Sequence, residues 1–197
     1  MVIVKLGGSL FHSPLLQDWL NKLAQLSKHE PIIIAPGGGP FAALIRQAQQ
    51  QHHFDDQHAH HMSLLAMSQY GLLLLGRCQH AQPFYYPEEP INNNWPDLSI
   101  WLPDKRLLQE EELPQNWDVS SDTIALWLAH QLKPNKLTLL KHQQNKQQDS
   151  VQHLTNHGLL DKAFSAQFRQ TEVTIELIDV NQVATYSTAQ TTHPLIP

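Results

Sequence analysis

The stretch Val2-Ile-Val-Lys5-Leu6-Gly7-Gly8-Ser9 decides the fold of this 197-residue chain. A short apolar run that ends in glycines is typical of a buried strand that leads into a tight turn. The stretch Pro31-Ile-Ile-Ile-Ala35, followed by Pro36-Gly37-Gly38-Gly39-Pro40, repeats this arrangement. Between the two, Ser13-Pro14 opens a helix whose leucines and Trp19 form one apolar stripe. The first forty residues therefore predict a strand–helix–strand unit.

The rest of the chain continues this alternation. Helices are predicted at residues 41–48, 62–76, 123–131 and 161–169, strands at 98–102, 136–140 and 173–180, and a loop or lid at 79–94. Buried strands that alternate with amphipathic helices predict an α/β fold, in which a mostly parallel central sheet is covered on both faces to give three αβα layers. Such sheets bind ligands beyond the carboxyl ends of their strands, and both glycine turns lie at such ends.

The composition excludes several classes of protein. There are 18 acidic and 13 basic residues, a net charge of −5, and no Lys/Arg-rich run, so a nucleic-acid-binding surface is not expected. The one cysteine, Cys78, excludes an internal disulfide framework and fits a reducing compartment. The N-terminus does not have the pattern of a secretory signal, and the densest apolar block, Leu72 to Leu75, is too short to span a bilayer. We therefore expect a cytoplasmic protein of one or two domains with no membrane association.

The two glycine turns are the first functional signal. Glycine lets the backbone approach an anion closely, and its amide groups can form a concave anion site. Lys5, near the end of its strand, can offer a positive charge to a phosphoryl group, although an ordinary turn that needs a positive φ explains Gly7-Gly8 equally well. Arg46, two turns into the helix after the second glycine turn, either reaches back to it or faces solvent. Neither turn matches the P-loop or dinucleotide-binding pattern.

The histidines suggest a metal site but do not predict one. His52, His53, His58, His60 and His61 lie together with two aspartates, which are suitable ligands for zinc or nickel. However, the chain has 13 histidines, and they are dispersed along its whole length. We therefore expect no metal ligands here and interpret most of these side chains as solvated.

Three motifs together are more specific than each alone. Lys5-x-Gly-Gly-Ser9, Ala35-Pro-Gly-Gly-Gly39 and Ser120-Ser-Asp122 resemble the amino acid kinase family, and the resemblance runs from Val2 to about Val180. It implies a single amino acid kinase-like domain over residues 1–197, with the acceptor side at about 1–115 and the nucleotide side at about 116–197. It also implies ATP and Mg²⁺ as cofactors, a small-molecule phosphoryl acceptor and a homo-oligomer.

The resemblance also assigns roles to residues. Lys5 and Asp122 would be catalytic, with Asp122 organising the centre or helping to hold magnesium, although as an acid in the first turn of a helix it could also simply stabilise that helix. Lys141, just after the strand at 137–140, is either a nucleotide-side lysine or a surface lysine. The implied binding residues are Gly7, Gly8, Ser9 and Lys141 for ATP, and Gly37, Gly38, Gly39, Arg46, His60 and Ser120 for the acceptor.

Softer motifs point to one branch of the family. Ala59-His-His-Met-x-x-Leu-Ala-Met67, Trp117-Asp-Val-Ser-Ser-Asp122 and Gly158-Leu-Leu-Asp-Lys-Ala-Phe164 are similar to the aminomethylfuran-methyl phosphate kinases of methanofuran biosynthesis. The implied reaction is phosphorylation of a phosphomonoester to a diphosphate. The family usually has an Asp/Gly-rich turn after the strand at 136–140, whereas residues 141–150 here contain no glycine. A kinase that acts on a carboxylate and a non-catalytic ligand-binding relative are therefore kept as alternatives.

Overall fold

The protein is an α/β structure built around one six-stranded sheet, described by a computed structural model over residues 1–87, 95–142, 150–191 and 194–196. The strands lie in the order β3-β4-β2-β1-β5-β6, and each adjacent pair among them is parallel. Their bounds are β1 Val2–Leu6, β2 Ile32–Pro36, β3 Gln82–Phe84, β4 Leu98–Trp101, β5 Lys136–Lys141 and β6 Thr174–Asp179. The predicted α/β class with a mostly parallel sheet is confirmed.

Helices cover both faces of the sheet. Their bounds are α1 Leu15–Leu26, α2 Gly39–His52, α3 Asp56–Arg77, α4 Ser121–Leu132, α5 Val151–Asn156 and α6 Phe164–Phe168. Successive residues of β1 point to opposite faces, so Ile3 joins the core that contains Trp127 of α4, whereas Val4 joins the core that contains Trp19 of α1. This division gives the three predicted layers.

The predicted apolar stripe of α1 is the face that packs against the sheet. Its residues Leu16, Trp19, Leu20 and Leu23 are buried. The Trp19 indole Nε1 donates a hydrogen bond of 2.8 Å to the carbonyl oxygen of Val180, so its only polar atom is satisfied inside the core.

The structure differs from the predictions at several elements. Helix α2 is longer at both ends than the predicted 41–48. Helix α3 starts at Asp56 rather than at residue 62, because the Asp55 side chain caps it by accepting a hydrogen bond of 2.9 Å from the His58 amide. The loop prediction is wrong at β3, a three-residue strand at the sheet edge, where proline is tolerated. The short helix α5 was not predicted. Residues 88–94 of the predicted loop and residues 143–149 lie outside the described residues.

The two glycine turns pack directly against each other at the carboxyl ends of β1 and β2. The Gly37 amide donates a hydrogen bond of 2.9 Å to the carbonyl oxygen of Leu6. A Cβ atom on Gly8 would lie 2.5 Å from the Cα of Gly39, and Gly39 itself has a φ of +55°. The contact between backbones therefore requires glycine at these positions.

Among the helices that the structure describes, none combines the length and the apolar character needed to cross a membrane.

A substitution at the glycine contact tests this arrangement. We expect Gly8→Ala to lower the free energy of unfolding by about 1–3 kcal/mol, because its Cβ forces two backbone segments apart. Gly76→Ala is the matched control, since its Cβ would meet nothing within 4 Å and lies within a helix, where alanine is favoured by about 0.5–1 kcal/mol. Urea unfolding followed by circular dichroism measures both. Equal stability of the two variants would contradict the proposed contact.

Candidate active site

Three charged side chains meet where two neighbouring strands of the sheet end. Lys5 comes from the end of β1, Lys141 from the end of the neighbouring β5, and Asp122 from the first turn of α4. The Lys5 Nζ lies 2.7 Å from Asp122 Oδ1, and the Lys141 Nζ lies 2.5 Å from Asp122 Oδ2. One carboxylate thus holds two ammonium groups, and we call this set the Lys5–Asp122–Lys141 triad.

The triad is largely removed from water. The side chains of Lys5 and Asp122 are 5% and 4% exposed, whereas that of Lys141 is 18% exposed. Burial alone would raise the pKa of Asp122, but the two ammonium groups outweigh this effect and hold its pKa below the ordinary value. Burial lowers the pKa of Lys5, and the carboxylate of Asp122 opposes that shift. With all three groups charged, the triad carries one excess positive charge, which favours an anion beside it.

The first glycine turn leaves space next to this charge. A Cβ atom on Gly7 would lie 3.1 Å from the Lys5 Nζ and 3.6 Å from the Oγ of Ser9. A side chain at Gly7 would therefore press against the ammonium group and lie next to the hydroxyl. An anion placed here would meet backbone amides, a hydroxyl and an ammonium group, which is a suitable environment for phosphate oxygens.

A cavity of about 130 Å³ lies beside the second glycine turn. Its walls are formed by α2, α3, the start of α4 and the segment before it; the residues are Gly38, Ala42, Arg46, His60, Ser63, Met67, Asn116, Trp117, Val119, Ser120, Ser121 and Ile124. Most of this surface is apolar, and a few polar groups lie among the apolar side chains. Such a lining is typical of a site for a small organic ligand.

The cavity lining includes two basic side chains, those of His60 and Arg46. His60 is 5% exposed, and its Nε2 has no hydrogen-bond partner among the described residues. Burial, aided by the nearby His61, lowers the pKa of His60 and so favours the neutral ring. The Arg46 guanidinium lies 4.2 Å from the ring centre of Trp117, whose Nε1 donates a hydrogen bond of 2.5 Å to Gln49. The contacts with α2 hold Trp117 at the cavity wall.

The residues singled out from the sequence fall into two neighbouring groups. Lys5, Asp122 and Lys141 form the triad, beside the turn of Gly7, Gly8 and Ser9. Gly38, Arg46, His60 and Ser120 line the cavity, and Gly37 and Gly39 flank Gly38. The hydroxyl of Ser120 is already engaged, since it donates to Asp161 at 2.6 Å and accepts from the Asp122 amide at 3.2 Å.

Sequence reasoning did not assign three residues that the structure brings to this region. Ser121 lines the cavity, and its Oγ lies 3.3 Å from the position of a Cβ on Gly37. Trp117 forms a cavity wall, and Asp161 binds the start of α4. Trp117 and Asp161 lie within the softer motifs and Ser121 lies within Ser120-Ser-Asp122, but these motifs give no indication of which side chain faces the cavity.

The His-rich segment, residues 52–61, contains an exposed pair formed by a histidine and an aspartate. His58 Nδ1 lies 2.6 Å from Asp55 Oδ1, and both side chains are well exposed. Within residues 1–87, 95–142, 150–191 and 194–196, no group of three or more His, Cys, Asp or Glu side chains is arranged to hold a metal ion.

Comparison with known proteins shows which family and which characterised protein this chain resembles. The sequence profile of the amino acid kinase family matches residues 1–82. The chain is 28% identical over 132 residues to [5-(aminomethyl)furan-3-yl]methyl phosphate kinase of Methanocaldococcus jannaschii, a match that covers 65% of this chain and 59% of that protein. The matched part therefore spans about three fifths of that relative's length.

Solved structures of low sequence identity have the same fold. The uridylate kinase of Archaeoglobus fulgidus superposes with a TM-score of 0.65 at 11% identity, covering 94% of this chain and 96% of that one. The UMP kinase of Ureaplasma parvum gives a TM-score of 0.65 at 11% identity, covering 100% and 98%. The resemblance to the amino acid kinase family, predicted from the three motifs, is confirmed.

The buried carboxylate makes a prediction about stability. We expect Asp122→Asn to lower the free energy of unfolding at pH 7 by about 3–5 kcal/mol, because it leaves two ammonium groups together without their counter-charge. The folded-state pKa of Asp122 is depressed, so its contribution is complete above the unfolded value of about 3.9 and is lost as the pH falls through the folded value. The difference in the free energy of unfolding between the Asp122→Asn protein and wild type should therefore narrow only in acid.

Asp118→Asn is the matched control for this measurement. Asp118 also pairs with a lysine, Lys162, at 3.0 Å, but the pair is exposed and should contribute less than about 1 kcal/mol. Urea unfolding at pH 7, 5 and 3 compares the two variants. If Asp122→Asn lowers the free energy of unfolding by no more than Asp118→Asn does, the triad does not contribute to stability as proposed.

Proposed function

We propose that this chain is an ATP-dependent phosphotransferase of the amino acid kinase family, which transfers the γ-phosphoryl group of ATP to a small acceptor. The observation that supports this proposal is the Lys5–Asp122–Lys141 triad, whose excess positive charge lies beside the Gly7 turn, while the residues just before Asp122 line a small cavity. Phosphoryl transfer demands two oxygens held in line and neutralisation of the charge on the moving group. The triad supports the second requirement, because its excess positive charge would neutralise the moving group.

On the nucleotide side, each part of the proposed ATP site has a defined task. The amides of Gly7 and Gly8 and the hydroxyl of Ser9 would bind the phosphates of ATP, and the lack of a side chain at Gly7 leaves room for them. Lys5 and Lys141 would neutralise the transferring phosphoryl group. Asp122 would orient both lysines without reacting itself. Because both of its oxygens bind ammonium groups, Mg²⁺ would enter with ATP as part of the substrate.

On the acceptor side, the cavity favours a small phosphomonoester. Gly37, Gly38 and Gly39 would cradle the phosphate of the acceptor, while Arg46, His60 and Ser120 would line its site. A volume of 130 Å³ is well below the 300–1,000 Å³ typical of sites for drug-sized ligands, so the cavity suits a single small ring better than a nucleoside. An ionised phosphate needs no general base to accept a phosphoryl group.

These features support an acceptor of the [5-(aminomethyl)furan-3-yl]methyl phosphate type, which would become a diphosphate in the biosynthesis of a methanofuran-like cofactor. The apolar side chains of Met67, Trp117 and Ile124 could pack against a flat ring. We also propose a single domain over residues 1–197, with the acceptor side at about 1–115 and the nucleotide side at about 116–197, in a cytoplasmic homo-oligomer.

The first test is a variant of the triad. We expect Lys5→Ala to lower kcat by a factor of about 10²–10³, since its ammonium group would act on charge that develops in the transition state. ADP release should be measured with furan phosphate, acetylglutamate, carbamate and isopentenyl phosphate as acceptors. Lys28→Ala, at an exposed position after α1, should keep wild-type activity.

The outcome of this assay distinguishes the candidate functions. Activity with acetylglutamate or carbamate instead of a phosphate ester would indicate a kinase that acts on a carboxylate. No ADP release with any acceptor, together with no binding of Mg–ATP in calorimetry, would indicate a non-catalytic relative. Full activity of the Lys5→Ala protein would exclude the mechanism.

The second test addresses the acceptor site. We expect Arg46→Gln to raise the KM for the acceptor by about 10- to 100-fold, because a hydrogen bond to a charged group is lost, and to leave the KM for ATP unchanged. Arg77→Gln, at the last residue of α3, is the control and should change neither constant. An equal rise in both KM values for Arg46→Gln would argue against an acceptor role.

A further inference from the structure

One carboxylate outside the triad accepts an unusual number of hydrogen bonds. Asp161 Oδ2 accepts from the amide and hydroxyl of Ser120 at 3.0 and 2.6 Å and from the amide of Thr123 at 3.2 Å. Its Oδ1 accepts from the Thr123 hydroxyl at 2.5 Å and from the Phe164 amide at 3.0 Å. A helix cap normally satisfies one or two amides, whereas this side chain binds the beginnings of both α4 and α6.

The position of these bonds relates them to the triad. Ser120 and Thr123 flank the residue pair that contains Asp122, and Thr123 is completely buried. Asp122 can hold Lys5 and Lys141 at 2.7 and 2.5 Å only if the first turn of α4 is fixed relative to the strand ends. Asp161 fixes this turn from a segment that lies about forty residues further along the chain.

The charge of Asp161 also acts on the site. Its electrostatic attraction raises the pKa of Lys5 and so opposes the effect of burial, together with the larger contribution of Asp122. The carboxylate of Asp161 therefore affects the site in two ways, through the position of Asp122 and through the protonation of Lys5.

We propose that Asp161 is a positioning residue for the phosphoryl transfer: it holds the start of α4 so that Asp122 aligns Lys5 and Lys141. This inference rests on the proposed function for its kinetic consequence. Its structural part, the control of the Lys5 ammonium group by Asp161, can be measured without any turnover.

The direct test is NMR of the lysine side chains in the Asp161→Asn protein. The Cε and Nζ resonances of Lys5, assigned by comparison with a Lys5→Arg protein, give its pKa by titration. We expect this pKa to fall relative to wild type, because a negative charge and the alignment of Asp122 are lost together. Asp104→Asn is the matched control, since Asp104 caps the short 3-10 helix Lys105–Gln109 through the Arg106 amide at 2.9 Å. It should leave the pKa of Lys5 unchanged.

The kinetic test separates positioning from general stability. We expect Asp161→Asn to lower kcat by about 10- to 100-fold per folded molecule, with less than about a threefold change in either KM. The Asp104→Asn protein should keep the kcat of wild type even if its unfolding midpoint falls by the same amount. Equal kcat values for Asp161→Asn and wild type, or equal losses in the two variants, would overturn the proposal.

A milder pair of variants applies if Asp161→Asn does not fold. Thr123→Val removes the hydroxyl that donates to Asp161 Oδ1 but keeps the shape of the side chain, and Thr123→Ser keeps the hydroxyl. We expect kcat and the pKa of Lys5 to fall in Thr123→Val and to recover in Thr123→Ser. A Thr123→Val protein with both values at the wild-type level would overturn the proposal. If wild type has no kinase activity, the proposed function fails, whereas the pKa of Lys5 still decides the role of Asp161.

Discussion

The carboxylate of Asp122, buried between two ammonium groups, is the interaction on which the arrangement of the site depends. It connects three elements that are distant in sequence: the ends of β1 and β5 and the first turn of α4. The two lysines come from the neighbouring strands β1 and β5, so the pairing of these strands in the parallel sheet brings both ammonium groups to one carboxylate. The order of the strands in the sheet thus determines which charged side chains meet at the site.

The glycine turns impose the second constraint, because their backbones touch. A Cβ on Gly37 would lie 2.7 Å from the amide nitrogen of Gly8, and one on Gly8 would lie even closer to Gly39. This contact brings the turn beside the triad next to the turn beside the cavity. Two ligands held by the two turns would therefore lie close together, as transfer of a group between them requires.

The extent to which sequence predicts this structure depends on how local each signal is. Strands β1 and β2 were predicted to within a residue, because a compact apolar run followed by glycines leaves few alternatives. The start of α3 was missed because its first turn is polar and rich in histidine, and only the cap at Asp55 marks it. The motifs singled out Lys5 and Asp122 for the site, but nothing local connects Ser120 with Asp161, which lies 41 residues away.

The balance of charge explains how a positive site can exist in a buried place. Burial favours the neutral form of a lysine, so two ammonium groups close together need compensation to stay protonated. Asp122 and Asp161 both raise the pKa of Lys5, and counting the two lysines and the two aspartates as charged gives a sum of zero. The region is therefore neutral as a whole. However, Asp161 has no ion pair with either lysine among the contacts described and is instead bound to the amides and hydroxyls at the starts of α4 and α6. An anion at the Gly7 turn would therefore meet a locally positive surface. The unfavourable effect of burial on the charged form of Lys5 is opposed by the carboxylates of Asp122 and Asp161.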